Sequence, residues 1–129
     1  SYKYLVRRIC ELYGEGGLVD GDIYLCNHPY DGNLPHVPDM AVIVPVFHQG
    51  TLVGFAGSIA HKADIGGAVP GSTYGQATEL FQEGIVFPPI RYYRAGIHNM
   101  DVERMKLRER GIVVMLRKTS IVMEIVLLL

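Results

Sequence analysis

The sequence predicts a mixed α+β domain, a central β-hairpin within an antiparallel sheet flanked by helices, forming part of a larger subunit. Three observations predict it. Apolar residues at three- and four-residue steps open the chain, two apolar stretches meet at His48-Gln49-Gly50, and a run of helix-forming composition lies towards the end. A doubly wound parallel sheet is disfavoured, because regular alternation of strand, helix and strand is missing.

Tyr2, Leu5, Val6, Ile9, Leu12 and Tyr13 define one apolar helical face, and Gly14 is suited to end that helix. Gly16-Gly17 and Asp20-Gly21 mark turns, and Asp22 to Cys26 reads as a short strand around Ile-Tyr-Leu. Asn27 to Pro38, dense in Asn, Pro, Gly and Asp, is expected to be irregular loop. The hairpin joins Met40–Phe47 to Thr51–Ala60. A second irregular segment runs from His61 to Ser72, where Gly66-Gly67 and Pro70-Gly71 are either turns or points of close approach to a ligand. Glu79, Leu80, Phe81 and Glu83 suggest one helical turn before Gly84. Ile85–Phe87, stopped by Pro88-Pro89, and Ile90–Tyr93 are two further candidate strands. Asp101 to Arg110 is the closing helix, with Asp101 near its start and Gly111 past its end.

A chain of 129 residues with a net charge of -1 and no basic stripe supports one modest core and gives no sign of nucleic-acid binding. Two cysteines, Cys10 and Cys26, point to free thiols in a reducing compartment, so a cytoplasmic location is the expectation. Ile112–Leu116 and Ile121–Leu129 are strongly apolar, but Arg117, Lys118 and Glu124 interrupt them. The last uncharged run falls far short of the roughly 20 residues of a membrane span. Such a tail is expected to pack against a partner, or to belong to a longer chain. The chain therefore divides at this level into residues 1–102, which carry the candidate site, and an apolar, partly helical tail over 103–129.

The chemistry centres on His36, Asp39 and His61. If the hairpin break is a tight turn, Phe47 faces Thr51 and His61 arrives opposite Val37; a change of one residue moves it to Pro38. In either register His61 lies between His36 and Asp39 at the open end, although a bulge at Pro45 would shift the count. Two imidazoles and a carboxylate suit a divalent metal such as zinc, manganese or iron. The competing reading of His36-Val37-Pro38-Asp39 is a loop hydrogen bond, and Pro38 removes any helical argument for a shared face. His28 is read as a loop histidine, the alternative being a further ligand or a supporting donor, and His48 and His98 read as turn and loop residues. Asp64 repeats after His61 the spacing of Asp39 after His36, and would ligate, orient His61 or cap a turn. Lys62 is read as solvated, the alternative being a counter-charge for an anionic substrate. Ser58, Ser72, Cys10 and Cys26 lack a nucleophile motif, and no phosphate loop is present.

Four blocks in order carry a resemblance: Gly21-Asp22-Ile23-Tyr24-Leu25-Cys26-Asn27-His28-Pro29-Tyr30, Pro35-His36-Val37-Pro38-Asp39, Ala60-His61-Lys62-Ala63-Asp64-Ile65-Gly66-Gly67 and Thr78-Glu79-Leu80-Phe81-Gln82-Glu83-Gly84. Together, from about Gly21 to about Val102, they resemble the hydantoinase B/oxoprolinase family. The resemblance implies a metal held by His36, Asp39 and His61, and ATP chemistry in a partner ATPase subunit of the hydantoinase A type within a hetero-oligomer. It implies ATP-dependent hydrolytic opening of a cyclic amide such as a hydantoin or 5-oxoproline; within that chemistry the candidate for general base or orienting group is Asp64. The alternatives are a ketone carboxylase subunit that stabilises an enolate, and a catalytically inert truncated fragment. Members of the family are much longer, many carry Gly-Gly-Thr where Asn33-Leu34-Pro35 stands, and a second histidine is frequent at Lys62.

Overall fold

The computed structural model describes residues 2–108, and its frame is one five-stranded antiparallel sheet. Its strands are β1 (Ile23–Cys26), β2 (Asp39–His48), β3 (Thr51–His61), β4 (Ile90–Arg94) and β5 (Ile97–His98), in the order β3-β2-β1-β4-β5. Helix α1 (Tyr2–Tyr13) buries Leu5 and Ile9 and ends as expected, the Gly14 N–H donating to the Cys10 carbonyl at 2.8 Å. Gly14 takes φ 70°, where a β-carbon is unfavourable.

The central strand β1 is covered on both faces because its side chains alternate. Tyr24 and Cys26 join Leu5, Ile9, Leu18, Ala41, Ile43 and Phe55 beneath α1, while Leu25 joins Met40 and Phe87 on the other side. Full burial of each large aliphatic side chain in these clusters contributes roughly 1.5–3 kcal/mol. A polar tie crosses β1 to β4. Asp22, fully buried, accepts from the Tyr24 hydroxyl (2.9 Å) and the Ala95 N–H (2.9 Å) and lies 3.3 Å from Arg91 Nε. The Arg91 guanidinium also lies over the Tyr13 ring, 4.7 Å from its centroid. Burial pushes the Tyr24 phenol up to about 12, so it remains a donor to Asp22.

Several expectations are corrected. The stretch Asn27–Pro38 contains one helical turn, α2 (Pro29–Gly32), with proline at its start and Asn33 at φ 52° past its end. Ile85–Phe87 is not a strand. Its backbone is served by a side chain, since Asn27 Nδ2 donates to the Ile85 carbonyl (2.8 Å) and Asn27 Oδ1 accepts from the Phe87 N–H (2.6 Å). His98 is not in a loop but in β5, stacked on Tyr93 with ring centroids 4.7 Å apart. Helix α3 (Met100–Arg108) has Asp101 near its start, as expected, and Asn99 caps it, its Oδ1 accepting from the Asp101 N–H at 3.1 Å. The boundary drawn between residues 102 and 103 falls inside α3, and the apolar stretches Ile112–Leu116 and Ile121–Leu129 lie outside the described residues. Among the described residues no helix is long and apolar enough to cross a membrane.

Candidate metal centre

The hairpin forms with a register different from either one counted along the sequence. His48 pairs with Thr51 across Gln49-Gly50, so the turn is one residue tighter than the Phe47–Thr51 count. A bulge then takes up Val53, between the pairs Phe47↔Leu52 and Val46↔Gly54. Each step moves the far end by one residue, and His61 pairs with Asp39 instead of Val37 or Pro38. Pro45 does not cause the bulge. It stays in register opposite Phe55, beyond the last β1 pairing at Tyr24↔Ile43, where that edge of β2 needs no donor.

Residues directly opposite in an antiparallel ladder project to the same face, so Asp39 and His61 meet without further adjustment. His36 joins them through a tight turn in which the Asp39 N–H donates to the His36 carbonyl at 3.2 Å. Its Nε2 lies 3.3 Å from Asp39 Oδ1, and its ring centroid lies 5.0 Å from that of His61. The 3.3 Å contact is the loop interaction of the competing reading; the third residue distinguishes the arrangement from that pair alone. One ligand-capable atom from each of His36, Asp39 and His61 lies within 4.8 Å of the others. Donors bound at roughly 2.0–2.2 Å from an ion stand up to about 4 Å apart, so modest side-chain movement would close this set on a cation. The donor chemistry, two imidazoles and one carboxylate, fits zinc, manganese or iron. His36 is 42% exposed at its side chain and His61 is exposed, which keeps one side open to solvent or substrate.

A small apolar cluster supports the centre from below. Val37, between the two ligands of the turn, is fully buried against Ile65, Leu80, Ile85 and Val86, and Pro38 is buried beside it. The Lys62 N–H donates to the Pro38 carbonyl at 2.9 Å, which pins the residue after His61 to the turn. Lys62 itself is buried, correcting the solvated reading. Asn27 completes the support, its Nδ2 donating to the Val37 carbonyl at 2.9 Å.

Asp64 stands outside the cluster of three. Its carboxylate organises the following loop, accepting from the Gly66 N–H (2.9 Å), the Gly71 N–H (3.1 Å) and the Ser72 hydroxyl (3.3 Å). Donation by the Gly71 and Gly66 backbones holds its carboxyl below the usual carboxylate range. His28 caps α2, Nδ1 accepting from the Tyr30 and Asp31 N–H groups at 3.2 and 3.1 Å, and is not among the gathered ligands. His48 is exposed at the opposite end of β2. Burial pushes the Cys26 thiol up to about 11, which removes it as a nucleophile, and both cysteines are free as expected.

Two contributors are not marked by sequence alone. Asn27 lies inside a segment rich in turn residues, and Glu83 reads there only as part of a helical turn. Glu83 Oε2 accepts from the Val37 N–H at 3.4 Å, and a cleft of about 200 Å3 lies between His36, Glu83 and the Ser72–Gly75 stretch. The only signal for Glu83 is its place in the block ending at Gly84.

The profile of the hydantoinase B/oxoprolinase family matches residues 1–123. The chain is 46% identical over 89 residues to the 5-oxoprolinase of Saccharomyces cerevisiae, covering 68% of this chain and 7% of that one. The structure is similar to that of the ATP-dependent caprolactamase from Pseudomonas jessenii (TM-score 0.72, 28% identity, 81% of this chain and 18% of that one). It is also similar to acetone carboxylase in its nucleotide-free form (TM-score 0.73, 25% identity, 90% of this chain and 15% of that one). The chain thus spans less than a fifth of the length of each of these proteins.

Proposed function

As the chain belongs to the hydantoinase B/oxoprolinase family, we propose that it supplies the divalent-metal site of an ATP-dependent enzyme that opens a cyclic amide, such as a hydantoin or 5-oxoproline. The observation that carries this reading is the convergence of His36, Asp39 and His61 at the open end of the hairpin. The ATP would be used in a partner ATPase subunit of the hydantoinase A type, giving a hetero-oligomer. Amide resonance makes the ring carbonyl a poor electrophile, so phosphorylation of its oxygen by that partner creates a better leaving group.

A zinc, manganese or iron ion held here would supply Lewis acidity and a source of hydroxide near neutral pH. His36 and His61 would present neutral imidazoles and Asp39 an anionic donor, leaving the exposed side for the substrate. Asp64 acts as an orienting group rather than as a base: its oxygens already take three donors of the loop that follows His61. Val37, Pro38 and Asn27 hold the turn, so that the ligands are placed before any ion arrives.

Metal analysis of the purified chain tests the reading. Stoichiometric metal is expected, and its loss in His36→Ala and His61→Ala. A folded chain that takes up none overturns it and leaves the inert fragment. Likeness to acetone carboxylase favours a second reading, metal-assisted carboxylation of a ketone. Incubation with a hydantoinase A-type partner, ATP and a panel of lactams, hydantoins and ketones with labelled bicarbonate separates the two, since only the carboxylase fixes label.

A further inference from the structure

The cleft beside His36 has in its wall a carboxylate that is not one of the three candidate ligands. It is lined by His36, Ser72, Thr73, Tyr74, Gly75 and Glu83, and its volume of about 200 Å3 is smaller than the roughly 300–1,000 Å3 of drug-sized pockets. It therefore suits a small ring. Glu83 is the one carboxylate of this lining.

Its position is built in. Glu83 ends a 3-10 turn (Leu80–Glu83) whose start is closed reciprocally by Glu79 and Gln82. The Gln82 carbonyl accepts from the Ala68 N–H at 2.9 Å, and the Ile65 carbonyl accepts from the Ile85 N–H at 3.0 Å, so the turn is bound on both sides of Glu83 to the loop that follows His61. Among the described residues its long contact with the Val37 N–H, 3.4 Å, leaves most of a carboxylate's acceptor capacity unspent. An ionised carboxylate accepts hydrogen bonds and cannot donate them. A ligand against this wall is selected for an N–H or O–H and against a negative charge.

We propose that Glu83 is the specificity-determining acceptor of this site, its carboxylate receiving the ring N–H of a small neutral cyclic amide held in the cleft beside His36. The proposal rests on the metal-site reading and narrows its substrate class to the neutral ring, a hydantoin or simple lactam rather than 5-oxoproline, whose carboxylate is ionised at neutral pH. A ketone offers no such donor. A site that pairs a polar group with a substrate N–H rejects the analogue lacking it, because the carboxylate is then left without its partner.

The test uses the full chain loaded with manganese and a matched pair of probes, 2-pyrrolidinone and N-methyl-2-pyrrolidinone, with binding followed by calorimetry. Wild-type protein is expected to prefer the N–H lactam by about tenfold or more. Glu83→Gln keeps an uncharged acceptor and should retain about a third of that preference, whereas Glu83→Leu should abolish it. Both variants are compared with wild type at saturating manganese, so that any loss of metal affinity through the Val37 N–H contact stays out of the comparison. Unaltered selectivity in Glu83→Leu overturns the proposal, as does absence of lactam binding by a chain that holds manganese. Failure to hold manganese at all overturns the underlying metal site instead. If Glu83→Leu does not fold, unchanged selectivity in Glu83→Gln overturns the proposal in its place, and equal affinity of wild-type protein for the two probes overturns it in any case.

Discussion

Gly84 turns the chain where no β-carbon fits. Its φ is 130°, and a β-carbon built there would lie 2.6 Å from Ile65 Cγ1 and 2.9 Å from the Ile65 carbonyl oxygen. Gly67, at φ 108°, would similarly meet the Gln82 carbonyl oxygen at 2.6 Å. These two glycines let the loop after His61 and the turn bearing Glu83 touch, backbone against backbone. Gly84→Ala is expected to cost about 1–3 kcal/mol through conformational strain, with overlap adding to it, and to lower the urea midpoint. Asp64 adds a dependence on pH. Its folded value lies below the ordinary 3.8, so the unfolded chain binds the proton more readily. The stability it contributes is present above about pH 4 and is lost as pH falls through the folded value. Urea midpoints measured across pH should show a constant gap between wild type and Asp64→Asn at neutral pH, closing in acid. A gap that widens on acidification contradicts the assignment.

At the scale of elements, one buried amide joins three segments. Asn27, at the end of β1, holds the Val37 carbonyl of the ligand turn and both the Ile85 carbonyl and the Phe87 N–H of the extended segment before β4. Asn27→Ala strands three backbone groups, and about 2–4 kcal/mol of stability should go with them. Metal affinity is expected to fall as well, by roughly 10–100-fold, because the turn carrying His36 and Asp39 loses its support. Parallel denaturation and metal titration of this variant check both effects; unchanged metal affinity in a destabilised protein would show that the turn stands without Asn27. The hairpin is legible at this scale. The apolar runs either side of His48-Gln49-Gly50 announce two paired strands, and their approximate pairing already brings His61 to the turn of His36 and Asp39. Its register is not legible, because a bulge at Val53 depends on how β3 twists against β2 and leaves no mark in residue type.

For the whole molecule, the His36, Asp39 and His61 side chains lie on two elements that only the folded state brings together, so an ion that binds them binds the native state alone. At a free metal concentration about 100-fold above Kd, linkage adds about 2.7 kcal/mol to stability. For a domain of this size that raises Tm by on the order of 10 °C. Scanning calorimetry with manganese or zinc should show the rise, a chelator should reverse it, and His36→Ala should not respond. Among the described residues the sheet has two open edges, β3 and β5, and Tyr30, Ile97 and Phe81 are among the exposed large apolar side chains. Relatives of the chain are several times longer, and further protein of that kind has edges and apolar surface here on which to pack.

Local chemistry in the sequence determined the amphipathic first helix, the paired strands, the irregular loops and the identity of the three candidate ligands. Each of these depends on periodicity or on residue type, and both are visible without a fold. The pairing of His61 with Asp39, the burial of Lys62, the bracing by Asn27 and the place of Glu83 at the cleft were decided by tertiary structure. Those features arise where residues distant in the chain compete for the same space and the same hydrogen bonds, and that competition is resolved only when the sheet closes over its core.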